Sequence, residues 1–137
     1  MVKFLSEEWI EIGKTYMLEK LDPEKDLKSI TTSLLGVVEH IPPDDKTMNF
    51  YLELEGGKLL DFIVNTGDTF EEKEAAYEVR GNYGTYKSIL QGEMSLGIAV
   101  LKNRLKVKGS KMQALKLIKP LDGVIVALKE VTDEFEN

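Results

Sequence analysis

The sequence predicts an α+β fold: one mainly antiparallel sheet of about five strands, with helices before, between and after them. Three observations predict it. Apolar and polar residues alternate from Met48 to Glu55, the period of a half-buried strand. Glycine-bearing turns follow closely at Gly56-Gly57 and Gly67-Asp68, and close turns favour antiparallel neighbours because parallel pairs need long crossovers. Before residue 22 and after residue 82 the apolar period becomes that of a helix.

Each element has its own signal. Ser6 followed by Glu7 and Glu8 suits a helix start, and Trp9, Ile12, Tyr16 and Met17 recur at helical spacing until Asp22-Pro23. This predicts a helix over residues 7–21, with a short helical turn near 24–30 as an option. Leu34–Glu39 is a short apolar strand stopped by Pro42-Pro43-Asp44-Asp45. In the next strand Met48, Phe50, Leu52 and Leu54 point one way, and Asn49, Tyr51, Glu53 and Glu55 the other. Gly56-Gly57 turns the chain into a return strand, Leu59–Asn65. Glu74–Arg80 alternates again, with Ala75, Tyr77 and Val79 on one face.

Residues 81–85 then turn into a helix bearing Tyr86, Ile89 and Leu90, closed by Gly92. Met94, Ile98 and Leu101 fit one face of a second short helix. Arg104–Lys108 alternates as a last strand. Gly109-Ser110 precedes a helix with Met112, Leu115 and Ile118 along one face, which Pro120 should end or kink. Residues 124–131 fit both a β-branched strand and a helical face, and the helix is preferred.

Composition narrows the function. The chain has 137 residues, 42% hydrophobic and 31% charged, and reads as a single domain over residues 1–137. It has no cysteine, which excludes disulfides and thiolate chemistry, and one histidine, His40, which excludes a two-histidine metal site. The runs Leu96–Leu101 and Val124–Leu128 are far short of the roughly 18 residues of a membrane span. Met1–Leu5 is too short for a secretory signal and Phe135-Glu136-Asn137 is no peroxisomal or retention address, so a cytoplasmic location is expected.

Catalytic motifs are thin. Gly92-x-x-x-x-Gly97 has the spacing of a phosphate loop but continues Ile98-Ala99 rather than Lys and Ser/Thr. Asp44-Asp45 and Glu71-Glu72 are adjacent acids in turns, which seldom converge on one ion. His40 reads as a loop-edge histidine rather than a general base. Asp61 and Glu78 could serve proton transfer, but alternation puts them opposite in phase to Phe62 and Tyr77, on the polar face. No catalytic residue, cofactor or metal is therefore expected.

Charge is unevenly spread. The net charge is −6, yet residues 94–121 hold seven basic and no acidic residues, +7, inside a chain otherwise acidic. Arg104, Lys106 and Lys108 share one strand face, and Lys111, Lys116 and Lys119 follow. Like charges repel unless a partner uses them, and an anionic head group or membrane surface would. Nucleic acid is not expected, because the window lacks aromatic stacking residues.

Val79-Arg80-Gly81, then Tyr86-x-x-Ile89-Leu90-x-Gly92, then Ala99-x-x-x-Asn103-Arg104-Leu105-Lys106-Val107-Lys108-Gly109-Ser110 resembles the sterol carrier protein 2 (nonspecific lipid-transfer) domain family. Asn103-Arg104 stands where that family usually has Gly-Lys. The helix–strand–Gly-Gly–strand order of residues 7–66 fits too, so the resemblance covers most of the chain. It implies helices packed on one side of the sheet, enclosing an apolar tunnel, and non-catalytic carriage of fatty acid, fatty acyl-CoA, sterol or phospholipid. The inner face would carry Phe50, Leu52, Phe62, Val64, Tyr77 and Val79. Tyr86, Leu90, Met94, Ile98, Leu101, Leu105, Val107, Met112, Leu115 and Ile118 would complete the lining. Lys102, Arg104, Lys106, Lys108 and Lys111 would meet a head group or anionic membrane. The expected partner is a lipid or other apolar small molecule, with a homodimer left open. The alternatives are a structural or partner-binding module with a filled core, and a small proton-transfer enzyme.

Overall fold

The computed structural model of the chain describes residues 3–66, 75–109, 111–133 and 135. Ser6 starts α1 (Glu7–Lys20), its side chain accepting from the Trp9 amide at 3.1 Å while Glu7 and Glu8 occupy the positive end. The helix buries Trp9, Gly13 and Met17 and leaves Ile12 exposed, so its inner face is rotated from the predicted stripe towards Gly13. The reason is close packing. A Cβ on Gly13 would lie 3.1 Å from Leu128 and 3.3 Å from Phe62. Residues 23–29 are turns, with one helical hydrogen bond from the Asp26 amide to the Asp22 carbonyl at 2.9 Å but no helix.

Five strands make one sheet: β1 (Thr32–Ile41), β2 (Lys46–Glu55), β3 (Lys58–Thr66), β4 (Tyr77–Asn82) and β5 (Lys106–Lys108), in the order β3-β2-β1-β4-β5. Gly56 and Gly57, at φ +57° and +81°, form the tight hairpin between β2 and β3. Pairing is antiparallel except between β1 and β4, which run parallel with Leu34 opposite Tyr77 and Val38 opposite Gly81. The sheet is therefore mainly antiparallel, but it is not the expected meander. β1 is the reason: its Leu35–Val38 run is buried, with Val37 and Val38 at 0% exposure, as in a central strand flanked on both edges. The predicted turn at Gly67-Asp68 and the start of the predicted strand at Glu74 lie outside the described residues.

The two sheet faces differ from the simple alternation in β2. Asn49 and Tyr51, predicted on the polar face, are 0% and 3% exposed. They stand opposite Val37 and Leu35 of β1, which makes this second face buried at its centre. The Tyr51 hydroxyl donates to Glu53 Oε1 at 2.7 Å, and burial together with that carboxylate raises its pKa.

The remaining helices are α2 (Tyr83–Leu90), α3 (Leu96–Leu101) and α4 (Lys111–Val131). Asn82 Oδ1 caps α2 by accepting from the Thr85 amide at 2.9 Å, and Ser95 caps α3 through the Ile98 amide at 3.1 Å. α4 runs through Pro120 rather than ending there. Proline removes one backbone donor, but Pro120 is buried. Beyond it Val124, Ala127, Leu128 and Val131 are buried too, so packing of Pro120 and the second half holds the helix. Residues 124–131 are helical, as preferred. Residues of all four helices join one core with Leu52, Leu54 and Phe62 of the sheet, an α+β arrangement with helices on that face.

Candidate functional site

The space between sheet and helices is not completely filled. A cavity of about 110 Å³ lies there. Its floor comes from Thr32 and Leu34 of β1, Phe50 and Leu52 of β2, Phe62 of β3, Tyr77 and Val79 of β4, and Leu105 and Val107 at β5. Alternation puts these side chains on one face. Two glycines keep that floor open to bulky neighbours. A Cβ on Gly36 would fall inside the Phe50 ring, and one on Gly81 would lie 2.6 Å from Leu105 Cδ2.

The roof comes from Tyr86, Ile89 and Leu90 of α2, Leu96 and Val100 of α3, and one face of α4. That face carries Ala114, Leu117, Ile118, Leu121, Val124, Ile125 and Leu128, a helical repeat crossing Pro120. Phe4 and Trp9 complete the wall, edge to face at 5.1 Å, and Trp9 meets Phe62 at 5.3 Å.

The wall carries few polar atoms, and two are already bonded. The Tyr86 hydroxyl donates to the Val79 carbonyl at 3.0 Å, and full burial pushes its pKa up, so it stays neutral. The Trp9 indole N–H donates to Thr132 Oγ1 at 2.8 Å. No carboxylate or histidine among the described residues lines the cavity. Asp61 and Glu78 alternate with Phe62 and Tyr77 and so project from the other face, where Glu78 stands opposite Lys108. Nor do three His, Asp or Glu side chains cluster for a metal among the described residues.

Ten predicted lining residues surround the cavity: Phe50, Leu52, Phe62, Tyr77, Val79, Tyr86, Leu90, Leu105, Val107 and Ile118. Six do not. Val64 and Leu115 pack at the core edge. Ile98, Leu101 and Met112 face solvent at 44%, 60% and 77% exposure. Met94 borders a neighbouring open groove of about 360 Å³ between the α2–α3 turn and α4. Ile89, Leu96 and Ile125 line both spaces, and Asp122 and Lys129 are the charged groups of the groove. Loss of hydration raises the Asp122 pKa.

The correction has one cause in each helix. α3 begins at Leu96 after its Ser95 cap, so a face counted from Met94 is out of phase, and Leu96, Ala99 and Val100 turn inward instead. In α4 a face counted from Met112 and stopped at Pro120 misses the longer repeat. Phe4, Trp9, Thr32 and Leu34 were also missed. Trp9 and Leu34 did show as apolar positions of their elements, whereas Thr32 and Phe4 carried no signal.

The basic residues are not at the cavity. Lys106 and Lys108 alternate with Val107 and face away from it, opposite Arg80 and Glu78. Lys102 and Arg104 are exposed beside the end of α3. The Lys111 side chain lies outside the described residues.

Solved structures share this fold. The chain superposes on a conserved protein from Thermus thermophilus, described as a candidate sterol carrier protein, with a TM-score of 0.79 at 18% identity, over 97% of this chain and 92% of that one. A crystal structure of sterol carrier protein 2 gives 0.76 at 18% identity, over 94% and 99%. The palmitated sterol carrier protein 2 like 2 of Aedes aegypti gives 0.56 at 15% identity, over 96% and 99%. A comparison with curated proteins returns no match. The profile of the SCP-2 sterol transfer family matches residues 17–122, the whole sheet and all the elements that roof the cavity up to the middle of α4. On that match the chain belongs to the SCP-2 sterol transfer family.

Proposed function

We infer that this protein binds a lipid or similar apolar molecule between the sheet and α4 and carries it unchanged. The observation that carries this reading is the cavity itself, a void walled by carbon where a filled core was the alternative. The family match and the palmitate held by the mosquito relative support it. Each ligand methylene moved from water into such a wall gains about 0.8 kcal/mol.

The void of about 110 Å³ is small, below the roughly 300–1,000 Å³ usual for small-molecule sites. A long chain must therefore part the roof from the floor and open the cavity into a tunnel. The first half of α4 is the segment that resists least, since no described side chain from Met112 to Lys119 is buried. No carboxylate or histidine among the described residues belongs to the wall, which favours carriage over proton transfer.

Native mass spectrometry of the purified protein should show a co-purified apolar molecule. A long-chain fatty acid or sterol added in solution should change the fluorescence of Trp9, the sole tryptophan, because it lines the cavity. A protein that is empty in the first measurement and silent in the second would sink this reading.

A further inference from the structure

One polar atom of the cavity wall has no partner among the described residues. Thr32 Oγ1 is buried and has no hydrogen-bond partner among the described residues. Thr32 opens β1 on the floor of the cavity, two residues before Leu34, which also lines it. Two other polar groups of the wall are already bonded. The Tyr86 hydroxyl and Trp9 indole are bonded, and Tyr77 is half-buried.

A buried hydroxyl without a partner destabilises the fold, and native structures rarely keep one without a use. Water is a poor occupant. The cavity has room for it, but a buried water needs two to four polar partners, and Thr32 offers one.

We propose that Thr32 is the polar anchor of the site: its hydroxyl meets a single uncharged oxygen, a hydroxyl or carbonyl, on an otherwise apolar ligand. The oxygen is uncharged because no cationic side chain among the described residues lines the cavity, and an ionised carboxylate buried there would lack a counter-charge among them. A hydroxyl suits both roles, since threonine can donate to it or accept from it. The proposal rests on the reading of the cavity as a ligand site and adds what selects the ligand.

The test compares 1-decanol with decane, titrated through Trp9 fluorescence into wild type, Thr32→Val and Thr32→Ser. Valine keeps the shape and removes the oxygen; serine keeps the oxygen. The ratio of alcohol to alkane affinity should fall about three- to tenfold in Thr32→Val, the worth of one neutral hydrogen bond, and hold in Thr32→Ser. Free Thr32→Val should melt at or above the wild-type temperature, which certifies its fold. An unchanged ratio with both molecules still binding would overturn the anchor and leave the carrier reading standing. Binding of neither molecule to wild type would overturn both.

Discussion

His40 and Asp45 show how little of the ionisable chemistry touches the cavity. Both are exposed, at 69% and 72%, His40 near the end of β1 and Asp45 in the turn that follows, with Nδ1 and Oδ1 2.7 Å apart. The hydrogen bond from the ring, then the nearby negative charge, raises the His40 pKa above its ordinary 6.5. A raised folded-state pKa favours the protonated fold. This contribution is fully present below the unfolded value near 6.5 and is lost as pH climbs through the raised value. Because His40 is the sole histidine, one NMR titration of its ring proton reads the effect directly. Asp45→Asn should move the midpoint down. A midpoint that ignores the substitution would mean the pair does not exist in solution. Ligand affinity should be indifferent to Asp45→Asn, since neither residue lines the cavity.

Among the elements, α4 is both the roof of the site and the part least legible in the sequence. Its inner face repeats through Leu117, Leu121, Val124 and Leu128, while Met112 is 77% exposed. Leu128→Ala should therefore cost about 2–5 kcal/mol, because it leaves a hole against Gly13 and the rest of α1. Met112→Ala should stay within about 0.5 kcal/mol of wild type. Urea unfolding of both variants checks the pair, and comparable losses would mean the helix is turned the other way. The sequence showed the strands well because alternation and Gly56-Gly57 act locally. It could not show that β4 runs parallel to β1, since no local signal says which edge a strand will join. Helical phase failed where Pro120 hid half of α4 and where Leu96–Leu101 was apolar on every side. On the floor, Phe50, Leu52 and Phe62 were legible from alternation alone, whereas Thr32 was not, since its meaning depends on having no partner.

At the scale of the whole molecule, charge and apolar exposure coincide. Three of the large exposed apolar side chains, Ile98, Leu101 and Met112, fall within the acid-free residues 94–121. Lys102 and Arg104 sit beside Leu101 on the same exposed segment. No described helix is long and apolar enough to cross a membrane. An anionic surface would attract this window and repel the acidic remainder, which orients the approach as well as strengthening it. Docked this way, the bilayer would meet the end of α3 and the loosely packed start of α4, the segments that roof the cavity. Charge reversal then separates two faces. Lys102→Glu with Arg104→Glu should weaken binding to vesicles containing anionic phospholipid about tenfold or more, at about 1 kcal/mol per basic residue. Lys106→Glu with Lys108→Glu should weaken it less, because those side chains lie on the other sheet face among Glu78 and Arg80. Sedimentation with vesicles at low and physiological salt measures both, and wild-type binding should fall as salt screens the attraction. Equal binding to neutral and anionic vesicles would remove the electrostatic component. A larger loss from the Lys106 and Lys108 pair would place the docking surface on the outer face of the sheet.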